Sequence, residues 1–212
     1  MSDDLRPGLD GRPRCGWGTS TPEYEAYHDE EWGRPIRDAD ALFERLSLEA
    51  FQSGLSWLTI LRKRPAFRAA FAGFAIEKVA AFGPDDVERL LGDAGIVRNR
   101  AKIEATIANA AATRVVQREY GSLAALLWSF EPRGRQPAPR EFGAIPASTP
   151  ESKAASKALL RLGFRFVGPT TVYAAMQSCG IVDDHLSGCA ARTRCEAERR
   201  ATTRPGPIRS PR

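Results

Sequence analysis

Histidine is nearly absent from this 212-residue chain: there are two, together with four cysteines. No pair of cysteines forms a C-x-x-C knuckle, so cysteine spacing by itself is weak evidence for a zinc site. No stretch approaches the roughly 18 apolar residues of a membrane-spanning helix. The start, MSDDLRPGLDGRPR, is polar and lacks the apolar core of a signal peptide. These absences predict a cytosolic protein with no membrane partner, whose cysteines are free or metal-bound rather than paired. Sustained apolar–polar alternation is missing too, which removes the usual signature of a half-buried sheet.

The net charge of +5 is unevenly spread. From Ala190 onward, Arg192, Arg194, Arg199, Arg200, Arg204, Arg209 and Arg212 stand against Glu196 and Glu198, so the preceding residues sum to zero. That tail has little to bury and reads as disordered, with at most a weak, salt-sensitive attraction to a polyanion. The expected layout is a flexible extension over 1–13, one ordered domain of two helical lobes over 14–189, and a disordered basic tail over 190–212. Any specific nucleic-acid site must come from local charge placement in the body.

What is present is helical punctuation. Asp38 or Asp40 can cap a helix through about Phe51, which Gly54 ends. Trp57 to Arg64 reads as a second helix, and Pro65 suits the first turn of a third through about Phe71. GPDDVERLLGDAG is a short helix opened by Pro84 and two acids. A long helix is expected over about 99–118, another from Ser122 to Trp128, one from Thr149 to about Leu162, and a last from Pro169 to about Cys179. The segment EPRGRQPAPREFGAIPASTP is a loop by composition. The fold class is all-α.

Three constellations carry chemistry. The first, GFRFVGPTTVYAAM, joins two helices. Gly163 and Gly168 allow a tight turn and a close backbone approach to a ligand, and a helix N-terminus follows. Lys153, Lys157 and Arg161 share one face of the preceding helix, and Arg165 lies in the turn. This is a helix-hairpin-helix pattern suited to gripping phosphates without reading bases; the alternative is an ordinary helical turn with a solvated basic face. The second is LEAFQSGLSW: on a continuous helix positions 49, 53 and 57 share one face, whereas a break at Gly54 instead presents Glu49 and Trp57 to a common cavity. Trp17, Tyr24, Tyr27 and Trp32 supply an opposite wall. A carboxylate among aromatic faces suits an electron-poor heterocycle, against the plainer reading of a solvated acid and core aromatics. The third pairs Cys15 with His28, twelve residues intervening, and His185 with Cys189, three intervening. These are Cys₂His₂ ligand types, with Cys179 a competing ligand or a buried helical residue, and Cys195 incidental.

Taken in order, CGW, YHDEEWG, LEAFQSGLSW, DAGIVRNRAKI, GFRFVGPT and DDHLSGC closely resemble the 3-methyladenine DNA glycosylase I family, over about Arg14 to Cys189. The resemblance implies a helix-hairpin-helix DNA glycosylase with a structural Zn²⁺ joining its N- and C-terminal segments. Such an enzyme flips a damaged nucleotide out of double-stranded alkylated DNA. It then hydrolyses the glycosidic bond of 3-methyladenine, more weakly of 3-methylguanine, releasing the free base and leaving an abasic site. Carried over by position, the zinc ligands fall on Cys15, His28, His185 and Cys189. The base-pocket acid falls on Glu49, the stacking tryptophans on Trp17 and Trp57, and the pocket tyrosine on Tyr27. Gly54 and Leu55 match the segment that fills the gap in the duplex; Gly163 and Gly168 match the hairpin glycines. The family lacks the catalytic aspartate of broader relatives, so Asp183 and Asp184 are given no catalytic role and stand as candidates to orient a zinc ligand. Two departures are visible: Ala50-Phe51 stands where the family often has Gly-Gln, and Pro169 removes one N–H donor beside the hairpin. The rival readings are a non-catalytic helix-hairpin-helix DNA-binding module and a zinc-stabilised helical interaction domain. A monomer is the expected state.

Overall fold

The computed structural model describes residues 4–134 and 136–202. Among these the chain is helical apart from one short hairpin, β1 (Leu5–Pro7) paired antiparallel with β2 (Pro13–Cys15), Leu5 opposite Cys15. Three residues per strand are too few to show a period, which is why no alternation announced it. The extension expected to be flexible is therefore ordered from residue 4. Gly8 N–H closes the turn on Arg12 O at 3.0 Å, and buried Arg14 anchors β2 by donating to Asp29 at 2.8 Å.

The helices are α1 (Pro22–Glu30), α2 (Ala39–Gln52), α3 (Trp57–Ala70), α4 (Ile76–Val79), α5 (Pro84–Gly92), α6 (Arg100–Tyr120), α7 (Leu123–Trp128), α8 (Pro150–Arg161), α9 (Pro169–Ser178) and α10 (Arg192–Ala201). Their starts follow capping chemistry. Asp38, Ser56, Asn99, Ser122 and Thr149 each accept an N–H from the first turn, and Pro22, Pro84, Pro150 and Pro169 occupy opening positions. α2 is the central helix: it packs on α3, α6, α7 and α9, with Leu42, Phe43, Leu46, Leu48 and Phe51 buried.

Two expectations fail here. Pro65 does not start a helix but sits inside α3, which runs unbroken to Ala70. Burial of Ile60, Leu61, Phe67 and Ala70 along one helix offsets the lost N–H bond. The tail is not disordered where it is described. α10 is held by ion pairs four residues apart, Arg192–Glu196, Arg194–Glu198 and Glu196–Arg200. Cys195, taken as incidental, is its buried anchor at 1 % exposure. Arg34 clamps Glu198 through two bonds of 2.8 Å, and Arg192 donates to the carbonyl oxygens of Asp183 and His185. Arg204, Arg209 and Arg212 lie outside the described residues.

Candidate active site and metal centre

α2 ends at Gln52, and Ser53 to Ser56 form a sharp turn before α3, with Gly54 in the left-handed region at φ +84°. This turn lets α2 and α3 present Glu49, Gln52 and Trp57 to one cavity of about 160 Å³, instead of along a continuous helix face. Trp17, Tyr24, Tyr27 and Trp32 form the facing wall, and Ala174 and Gln177 of α9 close the side. Tyr27 stands between the two tryptophans, its ring 6.4 Å from that of Trp17 and 5.3 Å from that of Trp57. The volume is well below the range of about 300–1,000 Å³ that holds drug-sized ligands and is on the scale of a small heterocycle.

Glu49 is 6 % exposed. Burial pushes its carboxyl up to about 7, offset in part by the Arg45 guanidinium and the Ser178 hydroxyl. Arg45 was missed in the sequence, although it lies one helical turn before Glu49 and so shares its face. It is buried, donates to Tyr27 Oη at 3.1 Å and pairs with Glu31. Because Tyr27 Oη accepts from Arg45, its own proton is left to donate elsewhere. Trp57 Nε1 is buried without a partner, a second unused donor on a lining residue.

The two histidines meet 4.9 Å apart, ring centre to ring centre, behind Trp17 and Trp32. Donor atoms of Cys15, His28 and Cys189 all lie within 4.8 Å of one another. His28 Nδ1 contacts Asp29 Oδ1 at 2.7 Å and His185 Nδ1 contacts Asp183 Oδ1 at 2.8 Å. A carboxylate on each Nδ1 leaves both Nε2 atoms free for a metal. His28 Nε2 is 3.5 Å from Cys189 Sγ, and His185 Nε2 is buried with no partner at all. A tetrahedral Zn²⁺ with bonds of about 2.0 Å to nitrogen and 2.3 Å to sulfur has an N···S edge of about 3.5 Å. The Cys15 thiol beside Cys189 holds the latter well below its usual range, as a thiolate, the ligand form. The donor set of this cluster thus fits zinc.

The hairpin between α8 and α9 keeps its expected glycines, with a division of labour. Gly163 is left-handed at φ +90°, and Phe164 N–H returns to Leu159 O at 3.1 Å, ending α8. Gly168 is not left-handed (φ −60°); it caps α9 with open space where a Cβ would project, so the turn itself does not require a glycine there. The second left-handed residue is Phe166, at φ +55°. Lys153, Lys157, Arg161 and Arg165 are all exposed on this side. α9 begins at the hairpin and carries Gln177 into the cavity, so the two features share one helix. Leu55, at the turn between the cavity residues Gln52 and Trp57, is 42 % exposed.

The sequence profile of the methyladenine glycosylase family matches residues 17–193. The chain belongs to this family. It is 48 % identical over 179 residues to DNA-3-methyladenine glycosylase 1 of Escherichia coli (strain K12), covering 83 % of this chain and 95 % of that protein. A crystal structure of 3-methyladenine DNA glycosylase I superposes with a TM-score of 0.80 at 47 % identity, over 84 % of this chain and 98 % of that one. The 3-methyladenine DNA glycosylase I of Staphylococcus aureus, whose structure addresses 3-methyladenine recognition, matches with a TM-score of 0.80 at 37 % identity, over 84 % and 96 %. In this glycosylase the acids after the hairpin helix divide: Asp183 orients His185, while Asp184 accepts from Tyr173 Oη at 2.6 Å and from Gln177 Nε2 at 2.8 Å. Asp184 therefore steadies a cavity residue and not the Cys/His cluster.

Proposed function

We propose that this chain is a monofunctional DNA-3-methyladenine glycosylase, acting as a cytoplasmic monomer on double-stranded alkylated DNA and accepting 3-methyladenine ahead of 3-methylguanine. The observation that carries the reading is a buried carboxylate, Glu49, at the wall of a small aromatic cavity, with an exposed leucine in the adjoining turn and a side helix that starts at a glycine-framed hairpin.

N3-methylation makes the adenine ring cationic, so the base leaves as a neutral molecule when its bond to C1′ breaks. Water adds its oxygen to C1′ and releases a proton. Little further assistance is required, and the residues of the cavity mainly select and hold the leaving base. Glu49 offsets its charge and accepts its N–H. Trp17 and Trp57 stack against its faces, and Tyr27, its oxygen engaged by Arg45, donates a hydrogen bond to it. Leu55, presented by Gly54, enters the stack as the nucleotide leaves it; flipping costs a few kcal/mol, least for a damaged base. Backbone around Gly163 and Gly168, with Lys157, Arg161 and Arg165, binds phosphate.

We infer that Cys15, His28 and Cys189, with His185 as fourth ligand, hold one structural Zn²⁺. Zinc supplies closure between the two ends of the fold and no chemistry at the glycosidic bond.

The deciding experiment is chromatography of bases released from alkylated DNA. Release of 3-methyladenine with 7-methylguanine retained is expected. No release by folded, metal-loaded protein would overturn the reading in favour of a DNA-binding module.

A further inference from the structure

Two buried polar residues of α6 have no place in the chemistry above, yet each holds one of the elements that face DNA. Lys102, in the basic run RNRAKI, looks like a phosphate contact but is turned inward and 7 % exposed. Its Nζ donates to Phe51 O at 2.9 Å and to Ser53 O at 2.7 Å, the last carbonyls before the Gly54-Leu55 turn. Asn109 is 2 % exposed and grips the hairpin through its backbone. Asn109 Nδ2 donates to Arg165 O at 3.0 Å, and Asn109 Oδ1 accepts from Arg165 N–H at 2.7 Å. A side-chain amide thus imitates a strand partner for the one hairpin residue whose side chain is cationic. Seven residues bring the two positions back to the same face of a helix, roughly 10 Å apart along its axis.

We propose that α6 is a rigid gauge, with Lys102 and Asn109 the positioning residues that set the distance between the leucine-bearing turn and the phosphate-binding hairpin. The proposal rests on the assignment of those two elements to duplex DNA. A wedge and a backbone grip act on one nucleotide only if their separation matches the duplex, and two loops cannot fix that separation by themselves. α6 is the longest helix of the described residues and is capped by Asn99, which makes it the stiffest available ruler. Neither residue touches the base cavity, so their effect must appear on duplex DNA and not on free base.

The test compares Lys102→Met, Asn109→Ala and the double variant with the parent. Affinity is measured for a duplex carrying a tetrahydrofuran abasic site, and for free 3-methyladenine through tryptophan fluorescence. Each single variant is expected to bind the duplex about tenfold more weakly, the scale of losing buried charge-assisted or paired hydrogen bonds, with free-base affinity within about twofold of the parent. Once one loop is loose the spacing is lost, so the double variant should fall well short of the product of the singles. Lys102→Arg, which keeps the donors, should recover most of the loss. Unchanged duplex affinity in a folded variant, full multiplicativity, or a parallel loss of free-base affinity each overturn the gauge. If Asn109→Ala does not fold, the Lys102 variants decide. If the parent releases no base from alkylated DNA, the glycosylase reading fails, while the duplex-affinity ratios still judge the gauge.

Discussion

Glu49 is held where its charge is costly. Its carboxyl lies near 7 in the folded chain against an ordinary 4.5, because burial outweighs Arg45. The folded state therefore binds this proton more tightly than the unfolded one, and stability falls as pH rises from 4.5 through about 7, by on the order of 3 kcal/mol. Glu49→Gln should consequently raise the melting temperature at pH 8 while lowering single-turnover excision about 100-fold. In the parent, kcat/KM should climb with pH to a plateau above about 7; in the Gln variant that limb should vanish. An unchanged excision rate would remove Glu49 from recognition. At the metal cluster, Asp183→Asn should weaken metal retention about 10–100-fold, read by competition with a chelator. His185→Ala should lose metal and thermal stability together, and a metal-free variant that melts like the parent would contradict a closing role. Both histidines and the cysteines Cys15 and Cys189 were visible in the sequence because the chain has only two histidines and four cysteines, and Glu49 because it stands in an aromatic-rich segment. Arg45 was not, since a single arginine inside an amphipathic helix looks like any solvated charge.

Among elements, α10 changes the meaning of the basic tail. Arg192 donates to two carbonyls beside His185, Arg199 to Ile181 O at 2.8 Å, and Cys195 is buried behind Trp32 and Gly33. The match to the family profile ends at residue 193, before most of this strap. Arg192→Ala should cost about 2 kcal/mol of stability, measured by urea unfolding, with little change in DNA affinity at fixed salt. The capped helices were legible because Asp38, Ser56, Asn99, Ser122 and Thr149 declare their own starts. α10 was not, because its support comes from Arg34 and Glu131, far away in sequence, and from main-chain carbonyls that no sequence pattern marks as acceptors. Pro65 misled for the opposite reason: a strong local signal was overridden by the packing of Phe67 and Ala70.

For the whole molecule, Lys153, Lys157, Arg161 and Arg165 are exposed together on the helix and turn of the hairpin. Duplex binding should weaken linearly on a log–log salt plot, and Lys157→Ala should reduce the slope by about 0.9; an unchanged slope would move the phosphate contact elsewhere. The order of motifs along the chain was legible, whereas their assembly around one cavity was not, because it depends on α2, α3 and α9 crossing. The hairpin near residue 5 and the loop ending at Cys189 bring the extremes of the ordered chain together, as in the bond from Leu186 N–H to Cys15 Sγ across 171 positions. A chain leaving the ribosome displays Cys15 and His28 first and must wait for almost the whole domain before their counterparts arrive. Throughout that interval the Cys15 thiol and the His28 imidazole lack the late-arriving partners that bury them in the folded chain, so the fold leaves this repair enzyme open to oxidants at its birth, before any lesion is met.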